Sequence, residues 1–385
     1  MLFMWRLIFK LSARIFMSKK KIIGSKYLTY NEKRNIALPF PDYEVKRIID
    51  LYVLLSAAYL RLKGKPNSKW INLHKDFDLN NCAGYHFWNA TSFSKKPWVT
   101  TLELPCCEPL RLEHLSRSQC KKIFCLSSWV MDYQTQLVES SPYRDDILPK
   151  LELLHPPQNP NTTELDLISK NFDGTLKFLF VGRDFFRKGG YECVKAFSRI
   201  IELGLDAELT IVSQLTTNDY PVPAPQANLE HALKLIEDSQ GKIKVFPEIS
   251  QKEVFNLMAT SHIGLLPTYN DSYGYSVLEF FSYGCPVITT NILALPEINH
   301  PDRGWIIDMP LVDNGDGLPL IDRTSPDLRL AMSNVLTELL LDIIISILQD
   351  EQHLKSKSIA ALKYVEKNHD VCKNIKILED VYHTF

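Results

Sequence analysis

The chain has 385 residues, an apolar content of 45% and a formal net charge of -1. At roughly 100–200 residues per domain this length predicts two or three domains, and the apolar fraction excludes a disordered chain. Basic residues cluster within positions 1–34, which leaves the remainder mildly acidic and argues against a nucleic-acid partner.

The first 21 residues combine apolar and basic character. Arg6, Lys10 and Arg14 recur at a spacing of four, so a helix would place them on one face, with Leu, Phe, Ile, Trp and Met around the rest. These charges interrupt a membrane span, and no clear signal-peptide cleavage site follows. We expect residues 1–21 to form an amphipathic segment on an anionic membrane surface. A buried helix or a poorly ordered terminus is the alternative.

Eight cysteines are spread along the chain without a CxxC pair. Cys82 lies near His86, and Cys120 lies near Cys125, but neither pair belongs to a four-ligand zinc pattern. This favours reduced, mostly buried thiols in a cytoplasmic protein over a disulfide framework.

The first half of the chain mixes helical and strand-like runs. Residues 45–63 predict a long, mostly buried helix. Short strands follow in chain order, and then a helix begins after Ser127 or Ser128. The strands are predicted at 69–74, 97–104, 122–128 and 150–157, the helix at 129–140, and a linker rich in Pro, Asn and Thr at 156–166.

Strands and helices alternate more clearly in the second half. Near-continuous apolar strands separated by helices predict a parallel sheet covered on both faces, which binds ligands at the carboxyl ends of its strands. Predicted strands are 176–182, 207–213, 243–248, 262–268, 286–290 and 304–308, and predicted helices are 188–204, 228–239, 250–261 and 276–284. Ser250 and Glu253 form a capping-box pattern.

The chain ends in helical sequence. Residues 335–350 are too short and too charged at their ends for a membrane span, so a buried helix is expected there. The last 27 residues, from 359 onward, predict amphipathic helix.

Arg183 and Lys188 stand in the loop "FVGRDFFRKGG" (180–190), which joins a predicted strand to a predicted helix. Arg183, Lys188 and the following helix N-terminus would suit a phosphate or diphosphate. Neither the dinucleotide GxGxxG pattern nor a P-loop is present. The alternative is that both are ordinary solvated loop charges.

Two acids flank a glycine in "NDSYGYSVLE" (270–279), which also joins a predicted strand to a predicted helix. Gly274 allows a tight turn and a close backbone approach. The amides of Ser276, Val277 and Leu278 are expected to be available to an anion at the helix start. Glu279 could accept hydrogen bonds from a ribose, and Asp271 from a sugar. Both acids could instead complement the helix dipole.

These segments together resemble the donor-binding half of retaining glycosyltransferases of the GT-B fold, in particular glycosyltransferase family 4 (group 1). Gly182, Arg183, Lys188 and Gly189 match the family's G-R-x4-K-G segment. The family's E-x7-E motif, which reads roughly E-G-F-G-x-x-x-x-E, is matched by Gly274 and Glu279. Further matches follow at concordant spacing at Gly284, Pro286, Val287, Ile288, Pro296, Glu297 and Ile298.

The sequence departs from the family at identifiable positions. Asp271 replaces the first Glu of E-x7-E, Ser272 replaces the next Gly, and 293–294 is Leu-Ala in place of a Gly pair. The first half resembles the family faintly. Its "KKPWVTTLELP" (95–105) matches a strand end at which Glu103 stands where the family often has His.

The resemblance implies an α/β chain of GT-B fold, with two doubly wound Rossmann-like domains that face a cleft. The C-terminal helix would pack back on the N-terminal domain. We expect the basic segment at 1–21, an acceptor domain at 22–157, a nucleotide-sugar donor domain at 158–360 and the C-terminal helix at 361–385.

The resemblance also implies a retaining, hexosyltransferase-like activity and a division of labour among the residues that match. Lys188 and Arg183 would neutralise the leaving diphosphate without a metal or other cofactor. Glu279 would hold the ribose and Asp271 the donor sugar. Glu103 is a candidate for acceptor binding or general base, or simply an acid at a strand end. The implied donor-binding set is Gly182, Arg183, Lys188, Gly274, Tyr275, Ser276, Val277 and Glu279.

The implied partners are a nucleotide-sugar and a glycan or lipid-linked acceptor, in polysaccharide or lipopolysaccharide synthesis at the cytoplasmic face of a membrane. A non-catalytic GT-B-like binding or scaffold protein is the alternative, because of Asp271 and the divergent first half. A phosphorylase that uses pyridoxal phosphate would need a longer chain, and a dehydrogenase would need the missing glycine pattern.

Overall fold

A computed structural model gives the fold of residues 20–64, 67–169, 174–219, 221–313, 319–350 and 352–385. The expected membrane-binding segment at 1–21 lies outside these described residues, apart from its last two positions. The chain divides into two compact units. The first comprises residues up to 126, 130–157 and 372–385, and the second comprises 127–129 and 158–371.

The first unit is built on a six-stranded parallel sheet in the order β2-β1-β4-β6-β7-β8. Its strands are β1 Lys21–Ser25, β2 Tyr43–Arg47, β4 Gly84–Trp88, β6 Trp98–Leu102, β7 Cys120–Cys125 and β8 Leu151–Leu153, and β3 Leu73–His74 pairs with β5 Thr91–Ser92. Its helices are α1 Tyr30–Asn35, α2 Leu51–Lys63, α3 Ser68–Ile71, α4 Pro109–Ser116, α5 Ser128–Glu139 and α6 Arg144–Ile147, with a 3₁₀ turn at Leu148–Lys150.

The second unit carries another six-stranded parallel sheet, in the order β11-β10-β9-β12-β13-β14. Its strands are β9 Leu176–Val181, β10 Ala207–Val212, β11 Ile243–Phe246, β12 Ile263–Leu266, β13 Val287–Thr290 and β14 Gly304–Ile307, and β15 Val312–Asp313 pairs antiparallel with β16 Pro319–Leu320. Its helices are α7 Glu164–Ser169, α8 Gly190–Glu202, α9 Gln226–Asp238, α10 Gln251–Thr260, α11 Tyr275–Ser282, α12 Leu295–Ile298, α13 Pro326–Gln349 and α14 Gln352–Asn368. The predicted pair of doubly wound α/β units is confirmed.

The last helix, α15 Val371–Tyr382, closes the core of the first unit. Leu378 and Tyr382 are buried among apolar residues from the sheet and its loops. The Tyr382 ring packs edge-on against Phe40 and Tyr43, with ring centroids 5.4 Å apart in both pairs. The expected return of the C-terminal helix to the N-terminal domain is confirmed, although residue 361 lies inside α14 and the final helix starts ten positions later, at Val371.

Two expectations for the first half were wrong. Residues 45–63 do not form one buried helix, because Tyr43–Arg47 pairs in register with β1 and the helix starts only after Asp50. Asp50 caps α2 by accepting from the Tyr52 amide at 2.9 Å. Residues 69–74 do not form one strand, because 69–71 belong to the short helix α3 and only Leu73–His74 is a strand. The Lys26 ammonium stabilises the end of α3 by donating to the Ile71 carbonyl at 2.9 Å.

Helix α13 packs along α8 in the second unit, where the Ser333 hydroxyl donates to the Glu192 carboxylate at 2.5 Å. It is the one helix of the described residues whose length and composition would allow it to cross a membrane, a test that core helices also pass. Leu336, Leu340 and Ile344 are fully buried. The expectation of a buried helix at 335–350 therefore agrees with the packing of this face.

Candidate functional site

The strand order of the second sheet marks one point as the place for a ligand. Numbered along the chain, its six strands lie in the order 3-2-1-4-5-6, so that the connections diverge between β9 and β12. Doubly wound sheets bind their ligands at this divergence, outside the carboxyl ends of the strands. The segments predicted to bind the donor, 182–188 and 271–279, follow these two neighbouring strands.

The loop after β9 packs tightly against the end of β12. Phe185 and Phe186 are buried and anchor the loop, whereas the Arg183 side chain is exposed. Gly189 has φ of +80°, and a Cβ at this position would lie 2.0 Å from the Pro267 carbonyl oxygen. Only glycine fits this approach, so Gly189 sets the position of Lys188 beside the second loop.

Arg187, which the sequence analysis did not single out, joins the two loops. Its guanidinium donates to the Asn270 carbonyl at 2.9 Å and to the Asp184 carboxylate at 3.0 Å. Its own carbonyl accepts from the Tyr269 amide at 2.9 Å. The available signal was that Arg187 is a third cation in the loop that also carries Arg183 and Lys188.

Lys188 and Asp271 form an ion pair, and each side chain is only 15% exposed. The other Asp271 oxygen, Oδ1, accepts from the Gly274 amide at 2.9 Å and from the Tyr273 amide at 3.3 Å. Asp271 therefore both stabilises the turn before α11 and neutralises Lys188. The structure brings together two residues for which the resemblance implied separate contacts to diphosphate and sugar.

Gly274 is the N-cap of α11, which starts at Tyr275, one residue earlier than expected. Its φ is +86°, and a Cβ here would lie 2.5 Å from the Leu295 side chain. The expectation that the Val277 amide is available to a ligand was wrong, because this amide donates to the Gly274 carbonyl at 2.9 Å in a tight first turn. Tyr275 and Ser276 occupy that turn half-buried.

Glu279 lies on the second turn of α11 and is half-buried. Its negative charge acts on Tyr283, one turn further along, whose pKa is raised chiefly by burial and further by this charge. Val277 and Leu278 on the same helix are fully buried, which fixes the orientation of α11 in the unit.

Glu103 belongs to the first unit, where it follows β6. Its amide donates to the Asn89 side chain at 2.7 Å, and its carboxylate accepts from the Trp88 indole at 3.2 Å. Asn89 follows β4, the neighbouring strand, and has φ of +51°. The contacts of Trp88 and Asn89 with Glu103 were not predicted. They arise because β4 pairs with β6, which brings the ends of the two strands together.

The cysteines behave as packing residues. All eight lie within the described ranges, form no disulfide and are mostly buried. Burial raises the pKa of the Cys120 and Cys125 thiols to about 12. Both nitrogens of His86 are engaged, by the Tyr382 hydroxyl at 2.6 Å and the Thr101 hydroxyl at 2.8 Å, so His86 is not poised to share zinc with Cys82. Within the described ranges no group of three His, Cys, Asp or Glu side chains could hold a metal ion.

Comparison with known proteins places both loops of the site within a region that matches a known family. Residues 162–314 match the family model "Glycosyl transferases group 1", and the matched range contains both loops of the site. A glycogen synthase of Mycobacterium tuberculosis is 22% identical over 190 residues, which cover 46% of this chain and 42% of that protein. The chain thus spans less than half the length of this curated relative.

Solved structures share the fold over nearly the whole chain. A glycosyltransferase from Rickettsia africae superimposes with a TM-score of 0.55 and 16% identity, over 94% of this chain and 89% of that one. Anabaena HepE in complex with UDP gives a TM-score of 0.57 and 11% identity, over 95% of this chain and 100% of that one. These likenesses confirm the GT-B fold class, and the family match over residues 162–314 confirms the resemblance to group 1 glycosyltransferases.

Proposed function

We propose that this protein is a retaining glycosyltransferase that moves a sugar from a nucleotide-sugar to a hydroxyl of a glycan or lipid-linked acceptor. One observation carries the proposal: the two loops with donor-binding residues follow the two strands between which a doubly wound sheet binds its ligand. The match of residues 162–314 to group 1 glycosyltransferases supports it.

In this proposal the positive potential for the diphosphate comes from several groups. Because Asp271 neutralises Lys188 in the present arrangement, the exposed Arg183 and the N-terminus of α11 supply the attraction for an incoming anion. When the donor binds, the Lys188 ammonium contacts the phosphate oxygens, either in place of Asp271 or in addition to it. With these cations on the protein, the transfer needs no metal ion.

In this proposal the two acids Asp271 and Glu279 bind the donor sugar and the ribose. Asp271, held by two backbone amides, stabilises positive charge that develops at the donor sugar, and half-buried Glu279 accepts the ribose hydroxyls. Glu103 stands at a strand end of the first unit and would bind the acceptor or act as general base. UDP is bound by HepE, so UDP-sugars are the first donors to test.

The place of action that we propose is the cytoplasmic face of a membrane, with a role in cell-surface polysaccharide or lipopolysaccharide synthesis. The support is the apolar and basic sequence of residues 1–21. Charge reversal at Arg6, Lys10 and Arg14 in the full chain should lower binding to anionic vesicles. Unchanged binding would remove this part of the proposal.

The activity is tested first with a thermal-shift panel of UDP-, GDP-, ADP- and CMP-sugars. A donor at 100 times its Kd should add about 2.7 kcal/mol to the free energy of unfolding. The stabilising donor is then assayed for release of its nucleotide in the presence of candidate acceptors, and the anomeric configuration of the product is read by NMR.

The outcomes separate the proposal from its rival. Donor binding with turnover and a retained anomer supports it. Donor binding without turnover on any acceptor would instead favour a non-catalytic GT-B-like binding protein. An inverted anomer contradicts retention, and the absence of any donor-induced shift contradicts the whole assignment.

A further inference from the structure

Helix α2 is apolar in sequence and yet contains no buried residue. All of its residues except Ser56, Arg61 and Lys63 are apolar. Leu54 is 59% exposed and Leu62 is 82% exposed. A helix that is apolar all round is normally enclosed by protein or lipid, so this one presents apolar surface that something outside the described residues should cover.

Polar contacts fix the N-terminus of α2, and its Tyr52 and Tyr59 rings pack against Phe93 and Trp70, yet no residue of the helix is fully buried. The Asp50 carboxylate caps the helix and also pairs with the Lys26 ammonium at 3.3 Å, and both side chains are almost fully buried. The same ammonium donates to the Leu73 carbonyl at 2.6 Å. The apolar side chains of α2 are therefore exposed although the helix itself is held in a fixed position.

The apolar surface continues beyond the helix into the loop that follows β3. The Leu51 amide donates to the Lys75 carbonyl at 2.7 Å, which ties this loop to the start of α2. Phe77 is 63% exposed and Leu79 is 73% exposed. Phe77 also has φ of +54°, a conformation that bulky side chains rarely adopt, and it is held there with its ring toward solvent.

Cations outnumber acids around this surface. Exposed Arg47, Arg61 and Lys63 flank it, whereas Asp50 is buried and paired and the exposed acid Asp78 lies in the loop beside Phe77. Apolar side chains bordered by cations fit the interface of an anionic bilayer. A second copy of the chain fits less well, because a two-fold contact through α2 would set the same cations against each other.

We propose that α2 and the loop at 77–79, together called the α2 surface, insert into the head-group region of an anionic lipid bilayer. This contact is separate from the one proposed for residues 1–21, and it does not depend on the sugar-transfer reaction. It would hold the first unit on the membrane by its own apolar side chains.

Vesicle co-sedimentation of the full chain tests the α2 surface. Phosphatidylcholine vesicles with phosphatidylglycerol serve as the probe, and pure phosphatidylcholine vesicles as the comparison. The variant Leu54→Ser/Leu62→Ser/Phe77→Ser should lower the partition coefficient by about tenfold or more, because three inserting side chains are lost. A matched control replaces the similarly exposed Leu165, Leu203 and Leu233 of the second unit with Ser and should leave partition unchanged.

A second variant tests the charges. Arg47→Gln/Arg61→Gln/Lys63→Gln should reduce binding to the anionic vesicles and leave the weaker binding to neutral vesicles as it was. If the triple serine variant does not fold, as judged by circular dichroism, Leu62→Ser alone gives the same comparison at the most exposed position.

Three results would overturn the proposal: no binding of the wild-type chain to anionic vesicles, equal loss in the variant and its control, or no loss in either. A shift from dimer to monomer in the serine variant with unchanged vesicle binding would identify a second copy as the occupant instead. Donor binding, measured separately by thermal shift, is expected to stay at the wild-type level, so that a failure here is distinct from a failure of the proposed activity.

Discussion

The Lys188 ammonium contacts the Asp271 carboxylate, although the two residues are 83 positions apart in sequence. The contact joins the loop after β9 to the loop after β12 at the divergence of the sheet. An anionic donor that binds there meets a cation already paired with a carboxylate. The energetics of this pair therefore govern both the stability of the site and its affinity for a donor.

Replacing Lys188 tests the contribution of its charge to donor binding. Lys188→Ala should weaken the Kd for the donor by about 10- to 100-fold, as expected for loss of one charge-assisted hydrogen bond to phosphate. Isothermal titration with the donor found by thermal shift measures the change. Lys177→Ala, an exposed lysine on β9, is the control and should bind as the wild type does. Equal weakening in both variants would contradict a specific role for Lys188.

Two substitutions at Asp271 separate its cap from its charge. Asp271→Asn keeps an oxygen for the Gly274 amide and loses only the ion pair with Lys188, whereas Asp271→Ala loses both, so the free energy of unfolding should be lower in Asp271→Ala than in Asp271→Asn by about 1 kcal/mol. Sugar transfer should fall about 100-fold in both, because the charge opposite the developing cation is gone. Denaturant unfolding and turnover are the two measurements. Wild-type turnover in Asp271→Asn would exclude an electrostatic role.

Gly274 predicts a steric effect that can be isolated from backbone strain. Gly274→Ala places a Cβ 2.5 Å from Leu295 at φ of +86°, whereas Gly241→Ala at φ of +84° meets nothing within 4 Å. The left-handed backbone should lower the free energy of unfolding by about 1 kcal/mol in both variants. The clash should lower it by about 1–3 kcal/mol more in Gly274→Ala. Thermal unfolding of the two variants gives the difference. Equal stability would mean that α11 shifts to relieve the contact.

His86 predicts how the first unit responds to acid. Burial lowers its pKa from 6.5 to about 3, so the folded state keeps it neutral while the unfolded chain takes up a proton. Its contribution to stability is complete above pH 6.5 and is lost as the pH falls from 6.5 toward 3, at about 1.4 kcal/mol per pH unit.

The variant His86→Gln should be less stable at neutral pH but should show a flatter decline in acid. Residual dependence is expected from His74, whose pKa burial lowers to about 4. Urea unfolding at a series of pH values measures the slope. A slope that is the same in His86→Gln and the wild type would show that His86 does not titrate with unfolding.

Much of the second unit could be predicted because its signals are local. Apolar strand runs, the capping box of Ser250 and Glu253, and glycines at loop-to-helix junctions each depend on neighbours within a few positions, and all appear in the structure. The first unit was harder. The burial of α2 was mispredicted because apolar composition does not show whether a helix finds a protein partner.

The sequence by itself determined the doubly wound architecture and the two loops that carry Arg183, Lys188, Asp271 and Glu279, since these depend on periodicity and motif spacing. Only the tertiary structure decided that Lys188 pairs with Asp271, that Arg187 joins the loops, and that the Val277 amide is engaged. Such contacts arise because parallel pairing sets β9 beside β12, although their loops are more than 80 positions apart. The order of strands in a sheet, unlike a strand itself, is set by packing across the whole unit.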